Sequence, residues 1–257
     1  MRMNTAGTAG SELPGPAGRA VRERLGTTGR ITILTGAGVS AESGISTFRS
    51  AGGLWEQHSL EEVATPEGFE RNPSLVLAFY NERRRKLLAV EPNPGHAALA
   101  RLERSLGPRF TLITQNIDDL HERAGTQSVL HMHGELLKAR CVGCAGVLEW
   151  RDDIRPQDTC PSCGAGLRPH VVWFGEIPFY LEEEIPRALD ADVFIAVGTS
   201  GNVYPAAGMV HEARLRGKLT LEVNLEASAN AHHFDLRVLG PAGSVLPELV
   251  SEIVSEG

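Results

Sequence analysis

The sequence predicts an α/β fold: a parallel sheet with helices on both faces, carrying a smaller inserted domain. Three observations lead there. Short apolar runs alternate with helical patterns along most of the 257 residues. Those runs end in glycine or polar residues, at the strand ends where such sheets bind ligands. The four cysteines stand apart from the alternation, as C-x2-C, fifteen residues, then C-x2-C.

Taken in order, residues 1–29 are rich in Gly, Ala, Thr and Pro and read as a mostly flexible leader, with a short helix near 18–25. They lack the apolar core of a secretory signal, which points to a cytoplasmic location. Residues 31–35 (ITILT) form a buried strand entering the Gly36-Ala37-Gly38 turn. Residues 55–91 are helical, most strongly over 74–90. Asn93-Pro94-Gly95 opens an amphipathic helix to about 106. Strands follow at 110–114 (FTLIT) and, shorter, at 128–130. Residues 140–169 hold the cysteines in turn-rich sequence. Further strands are expected at 193–197 (VFIAV) and 219–223 (LTLEV), with helices at 204–216 and 247–254. The helical stretch 55–91 and the cysteine segment 140–169 break the alternation and form the small domain.

Composition narrows the function. Hydrophobic residues make up 42% of the chain, so it is globular, and no run of about 18 apolar residues marks a membrane span. The formal net charge of −7 disfavours a nucleic-acid footprint and suits basic partners such as lysine-rich protein segments. Cys141, Cys144, Cys160 and Cys163 are spaced for a four-thiolate zinc site, each C-x2-C turn aiming two sulfurs at one ion. Disulfides are the bland alternative and are rare in a cytosolic chain.

The turn at Gly36, Ala37 and Gly38 lets backbone amides approach a pyrophosphate. Alone it is a weak signal, because Ala41 stands where a third glycine is usual. The longer strings are specific. GAGVSAESGISTFR (36–49), TQNIDDLHERAG (114–125), HMHGELLKARC (131–141), VVWFGE (171–176), GTS (198–200) and VNLE (223–226) occur in this order, with the cysteines in the gap. Together they resemble the sirtuin family over about residues 31–254, in particular bacterial sirtuins of the desuccinylase and deacetylase type.

The resemblance implies a Rossmann-like domain (about 30–52, 92–133 and 173–257) and a small part made of a helical module and a zinc ribbon (about 53–91 and 134–172). It implies NAD as co-substrate, structural zinc, and acylated lysines of proteins as substrates. Nicotinamide, O-acyl-ADP-ribose and free lysine would be the products. His133 matches the catalytic base, a role suited to an imidazole titrating near neutrality, and Asn116 stands beside it. His131 reads as structural. Gln115, Asn116, Ile117 and Asp118 match the nicotinamide and ribose contacts, although an Asx turn would also account for them. Phe48 and Arg49 lie on the loop that closes over NAD in the family. Gly198, Thr199 and Ser200 match phosphate and ribose contacts. Asn224, Leu225, Glu226 and Ala242 match the adenosine side, and Glu42 belongs to the same cofactor set.

Tyr80 and Arg83 lie three apart in FYNERRRKLL and share a helix face. In the family such a pair lines the acyl pocket of desuccinylases, where ordinary deacetylases carry apolar residues. Arginine offers a planar fork that fits a carboxylate. The neighbouring Arg84, Arg85 and Lys86 read as a solvated basic face. Val172, Phe174 and Gly175, with Val171 and Glu176, match the edge that pairs with an extended substrate peptide, and residues 202–204 face it. Other readings stand beside this one: a nicotinamide-dependent oxidoreductase, a zinc ribbon docking nucleic acid or protein, a plain deacetylase, and an ADP-ribosyltransferase on the same site.

Overall fold

A computed structural model of the chain describes residues 11–46 and 59–255. Phe48 and Arg49 lie outside them. Among the described residues the helices are α1 (Pro14–Leu25), α2 (Leu60–Val63), α3 (Pro66–Arg71), α4 (Pro73–Leu88), α5 (Pro94–Leu106), α6 (Leu120–Arg123), α7 (Glu184–Ala188), α8 (Met209–Leu215) and α9 (Ala242–Val254). The strands are β1 (Ile31–Thr35), β2 (Phe110–Thr114), β3 (Val129–His131), β4 (Gly134–Cys141), β5 (Val147–Glu149), β6 (Leu167–Val171), β7 (Val193–Val197), β8 (Leu219–Asn224) and β9 (Leu236–Leu239).

Six strands form one sheet in the order β3-β2-β1-β7-β8-β9, every neighbouring pair parallel. The chain leaves β1 towards β2 on one side and returns to β7 on the other. The strand order therefore reverses between β1 and β7, which opens a crevice beyond their carboxyl ends. Alternation along the strands feeds two cores. Ile31, Ile33, Val193, Ile195 and Val197 face α1, α5 and α9, while Leu34, Phe194 and Ala196 face α7 and α8. Being covered on both faces is what buries every residue of β1 and β7.

The second sheet is antiparallel, in the order β5-β4-β6. It packs under α2, α3 and α4 through Val63, Phe79, Tyr80, Leu136, Val171 and Trp173. No helix among the described residues is long and apolar enough to cross a membrane.

Several expectations need correcting. Within the supposed leader, α1 begins at Pro14 and is no loose tail: Ala17, Val21 and Leu25 are buried against α9. Gly18 makes the close approach possible, since a Cβ there would stand 2.6 Å from Glu252 Cβ and 2.8 Å from the Leu249 carbonyl. Gly18→Leu is expected to cost about 1–3 kcal/mol by overpacking and to lower the Tm by several degrees, which a thermal melt checks. The last helix starts at Ala242, five residues before Pro247, which reads in sequence as a helix start but sits inside. The stretch at 204–216 opens with a 3₁₀ turn, Ala206–Gly208, before α8. The turn-rich cysteine segment contains a strand, β5, and takes in the ends of β4 and β6.

Candidate functional site

The crevice floor is built where two strand ends touch. Gly38 N donates to Gly198 O at 2.9 Å, and Gly36 N donates to Val197 O at 3.0 Å. A Cβ on Gly38 would lie 2.7 Å from Gly198 Cα, and one on Gly198 would lie 2.4 Å from Val39 N. Gly198 also has φ +62°. Gly38 and Gly198 are therefore fixed by contact, and Ala37, between Gly36 and Gly38, lines the cleft. On the β7 side, Ser200 Oγ accepts from Asn202 N, and Asn224 Nδ2 donates to Thr199 O at 2.7 Å, tying the ends of β7 and β8 together. Leu225 and Glu226 are exposed beyond β8. Glu42 accepts from Gly243 N at 2.6 Å, so its carboxylate caps α9 beside buried Ala242.

At the end of β2 a buried polar network organises Asn116 and Asp118. Ser40 Oγ donates to Asp118 Oδ2 (3.0 Å) and accepts from Asn116 Nδ2 (3.1 Å). His96 stands behind it. Its Nδ1 accepts from Asn93 N, which puts the ring proton on Nε2, 3.4 Å from Ser40 Oγ. Burial pushes the His96 pKa down to about 4, so the ring stays neutral. Burial likewise raises the Asp118 pKa, against hydrogen bonds from Leu120 N and Ser40. Ser40 and His96 were not singled out from sequence. The signal for His96 was present as Asn93-x-x-His96, the spacing of a helix capping box. His121, Nε2 3.0 Å from Thr35 Oγ1, lies under the same network.

His131 closes β3 and His133 follows in the short connection to β4, and the two rings face different partners. His133 Nδ1 lies 3.0 Å from Gln115 O, a carbonyl that can only accept, so Nδ1 carries the proton and Nε2 keeps its lone pair. Burial lowers the His133 pKa, partly countered by that hydrogen bond, which leaves the imidazole neutral and basic at neutral pH. His131 Nδ1 lies 3.2 Å from Asn116 O and Nε2 2.6 Å from Glu122 Oε1. Burial pulls His131 down, but the bond and charge of Glu122 carry its pKa above the ordinary value. Gly134 is required here: with φ +84°, a Cβ would meet His170 O at 2.2 Å. Val172 N donates to His133 O at 2.9 Å, so the 171–176 segment is fastened directly to the histidine strand.

Arg83 lines the same cleft as Ala37, Gln115, Asn116, Ile117 and Asp118. Tyr80 lies one turn behind, 4% exposed, its hydroxyl accepting from Trp173 Nε1 at 3.0 Å. Burial lowers the Arg83 pKa, while Tyr80 and Asp118 hold it up; a guanidinium stays protonated nonetheless. Phe174 N donates to Ala64 O, and both Phe174 and Gly175 are exposed on the open edge. Glu176 turns inward to pair with Arg168 at 2.7 Å. The solvated-face expectation holds for Arg85, paired with Asp153, and for Lys86, paired with Glu82. Arg84 overturns it. The helix period that buries Tyr80 and Leu87 buries position 84 as well, at 0% exposed. Its Nε donates to Leu136 O and Nη1 to Asn81 Oδ1, and burial brings its pKa to about 10.

The four cysteine sulfurs lie within 4.8 Å of one another, with Cys141–Cys163 at 3.4 Å and Cys144–Cys160 at 3.7 Å. Thiolates about 2.3 Å from a central zinc sit roughly 3.8 Å apart in a tetrahedron, so the set fits a closed structural site. The backbone amides of Cys144 and Gly143 point at Cys141 Sγ and bring its pKa to about 6, favouring the ligating thiolate.

A glycine-lined crevice at a strand-order reversal, a neutral half-buried histidine, and a closed four-thiolate ribbon define a zinc-bearing nucleotide-binding enzyme of the doubly wound class. The chain belongs to the Sir2 family, the sirtuins, whose profile matches residues 36–205. It is 57% identical to an NAD-dependent protein deacylase of Escherichia coli (strain K12), over 88% of this chain and 82% of that one. It is 39% identical to a Sir2 homolog solved as an NAD complex, with a TM-score of 0.84 and 95% of each chain covered. A Sir2 protein solved with a deacetylated p53 peptide and 3′-O-acetyl-ADP-ribose is 29% identical, with a TM-score of 0.78 over 91% of this chain and 97% of that one.

Proposed function

We propose that the protein is an NAD-dependent protein-lysine deacylase that favours acyl groups ending in a carboxylate, succinyl and malonyl before acetyl. The observation that carries the preference is Arg83, lining the cleft that Gln115, Asn116 and Asp118 also line. A guanidinium partly withdrawn from water gains most from an anionic partner, and its fork matches a carboxylate. An acetyl group offers it nothing.

NAD supplies an electrophilic ribose carbon from which nicotinamide departs. The chain's residues do the rest. Gly36, Ala37, Gly38, Gly198, Thr199 and Ser200 hold the phosphates and adjacent ribose at the meeting of β1 and β7, with Asn224 to Glu226 and Ala242 towards the adenosine. Asn116 and Asp118, held by Ser40, orient the nicotinamide end. His133 Nε2 takes the proton of a ribose hydroxyl, Nδ1 remaining on Gln115 O. The substrate backbone adds as a strand along Val172, Phe174 and Gly175, which presents the lysine towards His133 because Val172 and His133 are bonded.

The test uses succinyl-lysine and acetyl-lysine peptides of one sequence, with and without NAD, read by mass spectrometry. Succinyl removal is expected to exceed acetyl removal, and Arg83→Met to lower the succinyl-to-acetyl ratio of kcat/KM by about 10–100-fold, the size of a charged hydrogen bond. An acetyl preference untouched by Arg83→Met would leave a plain deacetylase. Transfer of ADP-ribose to the peptide, with both acyl groups intact, would replace deacylation altogether.

A further inference from the structure

Trp173 of VVWFGE is 2% exposed and packs in the same buried cluster as Tyr80. Its indole N–H is a donor only, so the 3.0 Å contact fixes Tyr80 oxygen as the acceptor. A phenol holds its hydrogen in the ring plane, in one of two positions. With the indole N–H occupying one side of the oxygen, the Tyr80 hydrogen must take the other. The indole also cannot turn away. Phe69 packs on it at 5.2 Å between centroids, and the Arg168 guanidinium lies 3.4 Å from the ring centroid. Arg168 is itself clamped by Glu176 through 2.7 and 2.9 Å bonds, and Glu176 Oε2 accepts from Trp173 N at 2.8 Å. A closed set of contacts thus runs from the peptide edge, through Arg168 and Trp173, to Tyr80, whose ring stands 5.8 Å from the Arg83 guanidinium carbon.

We infer that Trp173 is a specificity-determining positioning residue, which turns the Tyr80 hydroxyl into a fixed donor for the distal carboxylate of the acyl group that Arg83 holds. This rests on the preference for acidic acyl groups proposed above. Arg83 supplies the charge, and the Trp173–Tyr80 pair supplies a neutral donor in a set direction. A donor that is already oriented loses less rotational freedom when the carboxylate arrives, which favours affinity. The same set ties that donor to the edge strand, so the peptide and the acyl terminus are read by one rigid unit.

Trp173→Phe keeps a ring between Phe69 and Arg168 and deletes the N–H. In the purified full chain with NAD, the succinyl-to-acetyl ratio of kcat/KM is expected to fall about fivefold, the size of one neutral hydrogen bond, through KM for the succinyl peptide rather than kcat. In a Tyr80→Phe background the same substitution is expected to leave the ratio where Tyr80→Phe put it, because the bond is already gone. Tyr80→Phe alone removes the donor from the other side and must lower the ratio even if Trp173→Phe folds poorly. Equal losses on both peptides, or losses that add in the double variant, would make Trp173 a packing residue and overturn the inference alone. A wild-type protein that removes acetyl as readily as succinyl would overturn the acyl preference, and the inference with it.

Discussion

His133→Ala is expected to lower kcat/KM for NAD-dependent deacylation by about 10²–10⁴-fold, the range a positioned general base contributes, with the fold intact. The argument is geometric before it is electrostatic. Gln115 O holds the Nδ1 proton, so the lone pair sits on Nε2 and faces away from the strand. Gly134 and the bond from Val172 N fix the backbone on either side. Replacing the ring by a methyl group leaves those backbone contacts in place. A circular-dichroism melt close to that of the wild type is therefore expected alongside the lost activity.

The pH profile separates His133 from its neighbours. Burial lowers its folded pKa below the ordinary 6.5, so the neutral, proton-accepting form persists to lower pH than in a free histidine. The acid limb of kcat/KM should then have its midpoint below 6.5, activity falling as the pH drops through it. His96 and His121 are pushed down further by burial and make no contact with solvent. His131 moves the other way, because Glu122 raises it. An acid limb centred above 6.5 would report His131 and remove His133 from the role of base, as would a variant retaining more than a tenth of wild-type activity.

How much of this was legible in the sequence depends on the range of the interaction involved. The strands were readable because both faces of the large sheet are covered, so β7 is apolar throughout and β1, β2 and β8 are mostly aliphatic runs broken by a few buried polar residues such as Thr32, Thr114 and Glu222. β9 was not, since Leu236 and Arg237 are only part-buried and Leu239 is exposed at the sheet edge. The cysteines announced their own cluster by spacing, whereas the β-structure around them depends on pairings between residues far apart, such as Cys141 with Leu167. Arg84 shows a local rule misapplied: a run of four basic residues suggests a solvated face, yet period 3.6 buries the one aligned with Tyr80 and Leu87. Ser40 and His96 lie 56 residues apart and meet only through tertiary packing. Trp173 meets Tyr80 across 93 residues of chain, a contact that no local pattern encodes.

Stripping the zinc is expected to abolish activity even though four thiolates leave the ion no open position for catalysis. The loss should come through α4. Cys141 and Cys160 are buried in one apolar cluster with Leu77 of α4, Ala139, Ile154 and Leu167. Asn81 of α4 pairs with both the N–H and the carbonyl of Ile154 at 2.9 Å, and Arg84 reaches Leu136 O on β4. The helix that carries Arg83 and Tyr80 therefore rests on the ribbon, and β4 joins the ribbon to Gly134 and His133. Structural zinc contributes about 10–16 kcal/mol of apparent binding free energy in small ribbons, comparable with the whole stability of an ordinary domain. Without the ion, four clustered thiols have no cross-link and the ribbon opens. Chelation is expected to release one zinc per chain, to lower the Tm, and to raise KM for the acyl peptide before the large sheet unfolds, because that sheet's cores hold none of the cysteines. Zinc restored before aggregation should recover the activity, and Cys160→Ser should reproduce the stripped protein. A chelated protein that keeps full activity while losing its metal would show that the ribbon holds α4 through packing alone, and would detach the zinc from any part in the site.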